Sequence, residues 1–344
     1  MIRYLVRRLL ASVLVILTLT LATFLIFKTI PINPACLQVN CGFKSTVTKA
    51  QLAAIDHRLG ADKPIMVQYK DFMWRLVRHG SFGTSWATLE PIDPALRHGI
   101  AVTGSVVVGG ALLLLVLAIP LGILSALRAN TWVDRLVLFG SIFGIALHPL
   151  VIGYLLRQGF GVSLHVLPSG GYCEMRKPPP SALASLDLGA GCGGLRVWAS
   201  HLVLPWGAFA LFFLPLYIRI IRARVLETLG EPHIATARAK GASEARVVGR
   251  HVLRLALVPV PPMVAMEIGT ALMAAIYIDV VFGLPGIGSL VLQTLNTART
   301  GYDLPVLAAV FFVVAVFVVM LNMVADIVQA ALDPRLRDLS AAPA

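Results

Sequence analysis

The chain is built from long apolar runs separated by polar breaks. Six runs, at residues 9–27, 100–127, 136–156, 197–218, 255–278 and 304–325, lie close to or above the roughly 20 apolar residues a helix needs to cross a bilayer. They are nearly free of charge. The third contains only His148, the fourth only His201, and the fifth a single acid, Glu267. None shows the period-two alternation of barrel strands, and each is longer than such a strand. The pattern predicts an all-α, polytopic membrane protein with six transmembrane helices.

Shorter helical patterns fill two of the breaks. After the first run, "TVTKAQLAAIDHRLG" offers Thr48 as an N-cap, sets Leu52, Ile55 and Leu59 at helical spacing and stops at Gly60. "KPIMVQYKDFMWRLVRHG" opens at Pro64, gathers Ile65, Tyr69, Phe72, Met73, Leu76 and Val77 on one face and closes at Gly80. Two amphipathic helices are expected here, on the membrane surface or packed on the spans. Between the fourth and fifth runs, Gly230 breaks the incoming helix and Pro232 starts another, which ends at Gly241. Ser243 is placed to cap a second helix, with Glu244 in its first turn and Arg246, Arg250 and Arg254 four apart. This is helix, glycine corner, helix. Pro259, Pro261 and Pro262 then free backbone groups, as a hinge or a static kink.

Composition sharpens the membrane reading. Charged residues make up 13% of the chain, against about 25% in an ordinary soluble domain. The net charge of +12 reads as basic loops against anionic lipid, not as nucleic-acid binding. Arg3, Arg7 and Arg8, then Arg128 and Arg135, the segment 219–254, and Arg335 and Arg337 all fall on one side of a six-span topology. That side is the cytoplasm, and both termini lie there. Segments 28–99, 157–196 and 279–303 face outward. The first run reads as an uncleaved anchor: no small-x-small cleavage site follows it, and the apolar core ends well before Cys36. All four cysteines lie in outer segments, where oxidation is available. Locality favours Cys36–Cys41 and Cys173–Cys192, with four free thiols as the alternative. Neither pair has the C-x-x-C spacing of a zinc site. The expected organisation is an N-terminal transmembrane helix (1–30) and an extracytoplasmic segment (31–99). A transmembrane core follows (100–334), with a basic loop at 228–252 and an outer loop at 157–196. A cytoplasmic tail (335–344) ends the chain.

The basic loop carries a resemblance. "TARAKGASEARVVGRHVLRLAL" resembles the cytoplasmic signature of ABC-transporter permeases of the dipeptide/oligopeptide/nickel importer family. The matching positions are Thr236, Ala237, Arg238, Ala239, Lys240, Gly241, Arg246, Arg250, His251 and Arg254. Ala235 stands where the broader importer signature has glutamate, and Leu255 where asparagine is usual. "LGADKPIMVQYKDFMWRLVRHGSFGTS" is similar to the outer segment of the first permease subunit. "IDVVFGLPGIGSL" resembles a further motif, with Asp279 in place of glutamate, and "YDLPVL", Asn322, Asp326 and "DPR" resemble the end of the chain. The cysteine-bearing second outer loop is larger than is typical.

The resemblance implies a type I importer permease fold in a bacterial inner membrane, with peptides as cargo. It implies a second homologous permease, two ATP-binding domains or subunits and an extracytoplasmic substrate-binding protein as partners. It places Ala235, Thr236, Ala237, Arg238, Ala239, Lys240, Gly241, Arg246 and Arg250 in ATPase coupling. No lysine follows a glycine, so the phosphate-cradling G-K-[ST] loop is absent. The chain is therefore expected to bind no cofactor and to leave ATP and Mg to its partners. No metal-ligand cluster or nucleophile triad stands out, and a non-catalytic subunit is expected. Glu267 and Asp279 are the pathway candidates. Glu267 stands between binding a substrate ammonium and pairing with a neighbouring helix, while His148 and His201 read as packing residues. Three other readings stand beside this one: a nickel or other solute importer of the same family, a secondary transporter or channel independent of any ATPase, and a membrane-anchored assembly factor without a pore. A secondary transporter predicts several mid-membrane acids and internal repeats; one such acid and no clear repeat are present.

Overall fold

The structure is a computed structural model that describes residues 2–29, 35–36, 48–175, 192–258, 260–296 and 303–332. Among these the regular secondary structure is helical, and Thr84 and Pro91 form an isolated antiparallel bridge. The chain divides into two compact units, Met1–Ala101 with Pro285–Met320, and Val102–Leu284 with Leu321–Ala344.

In the first unit, α1 (Ile2–Thr29) is followed by α2 (Lys49–Leu59) and α3 (Ile65–His79). Thr48 and Gln51 form a reciprocal capping box on α2, and Gly60 closes that helix, as the residue pattern predicts. Phe72 of α3 is buried against Phe24 of α1 and Leu304, Leu307 and Ala308 of α13 (Leu304–Leu332). The Phe24 ring lies 5.5 Å from those of Tyr69 and Phe72. One residue of the expected apolar face is misplaced. Val77 is 78% exposed, and Gln68 is buried instead. The cause is the turn before α3: its Ala61 and Lys63 carbonyls point at the helix and accept from Gln68 Nε2 at 3.1 and 2.8 Å.

The second unit is centred on α7 (Leu195–Leu229), packed by α5 (Trp132–Ala146), α6 (Pro149–Leu156) and α11 (Val260–Phe282). The long α4 (Ile92–Leu127) meets α7 through glycines. A Cβ at Gly110 would come 2.6 Å from Phe209, and one at Gly109 would collide with Trp206. Trp206 Nε1 donates to the Ser105 carbonyl at 2.9 Å. Leucines, valines and alanines of these helices close the core around Phe209, Phe213 and Ile221.

Three expectations are corrected. The third apolar run is not one helix. Leu147 and His148 are extended, and Pro149 opens α6, because a residue before proline is driven from helical geometry. The end of α6 continues as a π-helix, π1 (Arg157–Ser163), so part of the expected outer loop is helical. The segment 279–303 contains a helix, α12 (Ile287–Asn296), and Asp279 lies inside α11, not in a loop. The expected kink near the prolines falls at Leu257–Val258; Pro259 lies outside the described residues.

Among the described residues, Ile92–Leu127, Leu195–Leu229 and Leu304–Met323 are each long and apolar enough to cross a membrane. A fourth is added if Gly269–Phe282 and Ile287–Leu295 form one interrupted span, and Leu10–Ile26 is a shorter apolar stretch. Leu10 and Leu14 of α1 in the first unit are exposed, and so are Val108, Leu112 and Val116 of α4 in the second, as side chains facing lipid or a protein partner are.

Candidate functional site: the basic hairpin and the spans above it

The helix after α7 is α8 (Pro232–Ala239), with Pro232 at its first position after an extended Glu231. Eight residues of alanine-rich chain would not hold a helix alone. Ile234 anchors it: its side chain is fully buried in the core of the second unit. Gly241 stops it at φ +81°, a left-handed conformation that an L side chain resists. The Gly241 N–H donates to the Arg238 carbonyl at 2.9 Å, and the Ala242 N–H to the Ala237 carbonyl at 3.2 Å. These two bonds fold the chain back on the last turn, and Ala237 and Ala242 both pack against the core.

The returning arm is helical but not uniform. α9 (Glu244–Arg246) passes into a π-helix, π2 (Val247–Val252), then α10 (Leu253–Ala256). The buried positions explain the wider turn. Val247, Val252 and Ala256 face the core at spacings of five and then four, and a π-turn brings the first pair into register. Arg246, Arg250 and Arg254 all stay exposed. Ser243 has the extended backbone of an N-cap, but its hydroxyl makes no capping bond.

The nine residues expected to couple lie together. Ala235, Thr236, Arg238, Ala239, Lys240, Gly241, Arg246 and Arg250 are exposed, and Ala237 is half-buried. Arg238 is not free for a partner: its Nε and Nη2 donate to both Glu244 carboxylate oxygens, at 2.7 and 3.2 Å. This hydrogen-bonded guanidinium holds the Glu244 carboxyl below its usual range.

A second ion pair braces the neighbouring helices, and sequence reasoning passed over it. Arg222, near the end of α7, grips Asp134 at the start of α5 through two 2.7 Å bonds. Ser125 Oγ and the Asn130 N–H also donate to Asp134. The Arg222 guanidinium holds this carboxyl well below the ordinary range, despite burial. The available signal was an acid in the first turn of a helix directly after a threonine.

The pathway candidates are not brought together. Both lie on α11, twelve residues and so about 18 Å apart along the helix. Glu267 is half-buried and within electrostatic reach of the Tyr217 hydroxyl. Asp279 is fully buried, and accepts the Thr103 hydroxyl at 2.7 Å. Its position is that of a lock between α4 and α11, not a side chain on open space. Gly283, at φ +62°, then ends α11 with the same paired back-bonds as Gly241: its N–H to Val280 and that of Leu284 to Asp279. The segment expected to form the second outer loop returns to this point. Arg157 donates to the Val281 carbonyl at 2.6 Å, and the Gly171 N–H to that of Phe282 at 2.9 Å. Cys173 and Cys192 form a disulfide beside it. Cys36 is also disulfide-bonded, and Cys41 lies outside the described residues. His148 accepts the Leu150 N–H and stacks edge-on to Tyr277. His201 sits half-buried on α7. Among the described residues, no group of three or more His, Cys, Asp or Glu side chains is placed to hold a metal.

Comparison with known proteins decides the family. Residues 118–338 match the model of the binding-protein-dependent transport system inner membrane component, and residues 1–92 that of its N-terminal part. The chain belongs to the binding-protein-dependent transport system inner membrane component family. As such a component it is an integral membrane protein. Among its relatives, the "Dipeptide transport system permease protein DppB" of Alkalihalophilus pseudofirmus is 30% identical, over 98% of this chain and 100% of that one. The "Probable D,D-dipeptide transport system permease protein DdpB" of Escherichia coli is 33% identical, over 94% of each. The "Glutathione transport system permease protein GsiC" of Salmonella typhimurium is 28% identical, over 98% of this chain and 99% of that one. A chain of the inward-facing MetNI methionine ABC transporter superposes with a TM-score of 0.52 at 16% identity, covering 71% of this chain and 99% of that chain. The family member thus has the ABC importer permease fold.

Proposed function

We propose that the chain is the first permease subunit of an ATP-driven peptide importer. In this reading it crosses the membrane six times, with α5 and α6 together making one crossing and both termini in the cytoplasm. A second homologous permease completes the pathway, two ATP-binding subunits dock below, and an extracytoplasmic binding protein delivers the peptide. The chain itself is non-catalytic and leaves ATP and Mg to those subunits. The observation that carries the reading is the hairpin: a rigid glycine corner, anchored by Ile234 and Val247, presents small and basic side chains outward. Dipeptide permeases among the relatives support peptides as cargo.

The hairpin explains how force enters the spans. Closure of the ATP-binding subunits pushes residues 235–241. Ile234, Val247 and Val252 are buried in the same core as Phe209, Phe213 and Ile221 of α7. The push is therefore delivered to α7 and α11 with little local give. The spans reorient and the cavity between the two permeases opens outward; ATP hydrolysis resets them. Glu267 is the residue proposed to meet the peptide ammonium, and Asp279 the one that holds α4 to α11.

The test is co-purification of the ATP-binding subunits with wild type and Gly241→Pro. Proline fixes φ near −65° and removes the N–H that Arg238 accepts. Loss of the subunits, with the chain still in the membrane, is expected. Equal recovery from both proteins would refute the assignment.

A further inference from the structure

The first unit contains a cavity of about 510 Å³ that the transport reading does not use. Its lining carries three cations, Arg58 of α2, Lys63 of the turn and Arg75 of α3; the acid among the described lining residues is Asp71, which accepts from Lys63 at 3.1 Å. Arg75 has no carboxylate partner among the described residues, and its guanidinium lies over Gly83, where a Cβ would come within 3.1 Å of it. The lining also includes the apolar Phe24 and Leu304. Phe24 lies five residues from the end of α1, about 8 Å, and Leu304 is the first residue of α13. The cavity is therefore level with the ends of two membrane helices.

The outer face of α3 places it at the same level. Met66, Trp74 and Val77 are exposed, and Arg78 lies over the Trp74 ring at 5.4 Å. Exposed apolar residues with tryptophan and cations between them characterise a helix lying in the headgroup layer. A site at that depth, lined by both cations and apolar side chains, complements one ligand: a phosphate carrying acyl chains. We propose that this cavity binds the headgroup of an acidic phospholipid, with Arg58 and Arg75 on the phosphate and an acyl chain along Phe24 and Leu304.

The test follows the thermal midpoint of the full-length chain in neutral detergent. Phosphatidylglycerol, phosphatidylcholine or inorganic phosphate is titrated in. Phosphatidylglycerol is expected to raise the midpoint saturably, and the other two are not. Arg58→Gln with Arg75→Gln should raise the half-saturating lipid concentration at least tenfold. Lys70→Gln, an exposed cation outside the cavity, should not move it. Phosphatidylglycerol retained per chain, read by native mass spectrometry, should fall in Arg75→Gln and persist in Arg75→Lys. An equal response to phosphatidylcholine or to phosphate alone would overturn the proposal. So would a glutamine variant that responds like wild type, or a loss in Arg75→Lys as large as in Arg75→Gln.

Discussion

Arg238 and Glu244 face each other across the Gly241 corner, joined by two hydrogen bonds from one guanidinium to one carboxylate. The pair links the arms of the hairpin at its exposed tip, where Lys240–Ser243 join α8 to α9. Residues 235–257 carry five cations, Arg238, Lys240, Arg246, Arg250 and Arg254, and one acid, Glu244. The fold spends one cation on that acid and leaves Lys240, Arg246, Arg250 and Arg254 exposed.

Exposed pairs add little to stability, so the consequence is in coupling. Glu244→Gln should leave the thermal midpoint unchanged but lower peptide-stimulated ATPase activity severalfold in the reconstituted complex. The exchange Arg238→Glu with Glu244→Arg should restore most of it. Failure of the exchange, with the single variant impaired, would show that Arg238 contacts the partner directly.

The Asp134–Arg222 pair should dominate acid stability of the helix ends beside the hairpin. Its folded pKa is depressed, so its contribution is full above the unfolded value near 3.8 and is lost as pH falls below that toward the folded value. Asp134→Asn leaves Arg222 uncompensated and should cost about 3 kcal/mol at neutral pH. The gap in midpoint between wild type and variant should be constant above about pH 5 and shrink below about pH 4.

The α4–α7 crossing depends on missing side chains. Gly110→Ala puts a methyl into the Phe209 ring, and Gly109→Ala displaces Trp206 and its bond to Ser105. Each should cost about 1–3 kcal/mol by overpacking, read as a lower thermal midpoint in detergent. Gly140→Ala, which meets nothing within 4 Å, is the control.

The Cys173–Cys192 disulfide closes a loop with a sequence separation of 19. Restricting the unfolded chain over that length is worth about 3 kcal/mol. Cys173→Ser should lower the midpoint accordingly, and expose Cys192 to alkylation without prior reduction. Labelling of Cys192 in untreated wild type would contradict the pairing.

Much of this molecule was legible without coordinates, because its signals are local. Membrane helices satisfy their own backbone, so apolar runs mark them directly. Thr48, Gly60, Gly80 and Gly241 mark helix ends through bonds within a few residues of themselves. The hairpin and its exposed residues were read from that chemistry and from resemblance. His148-Pro149 was a local signal too, but the surrounding apolar run hid it.

Other features depend on what a residue meets from far along the chain. Periodicity put Val77 in and gave Gln68 no place; carbonyls of a preceding turn reversed that. Asp134 found Arg222 across 88 positions, and Asp279 found Thr103 across 176. The π-turn at Val247–Val252 arises because two valines five apart share one core. Sequence alone determined which segments are apolar, helical or capped, since those energies are local. The tertiary structure alone decided which charges are paired, which acid is buried and where the helices break register, since those energies belong to neighbours brought together only by folding.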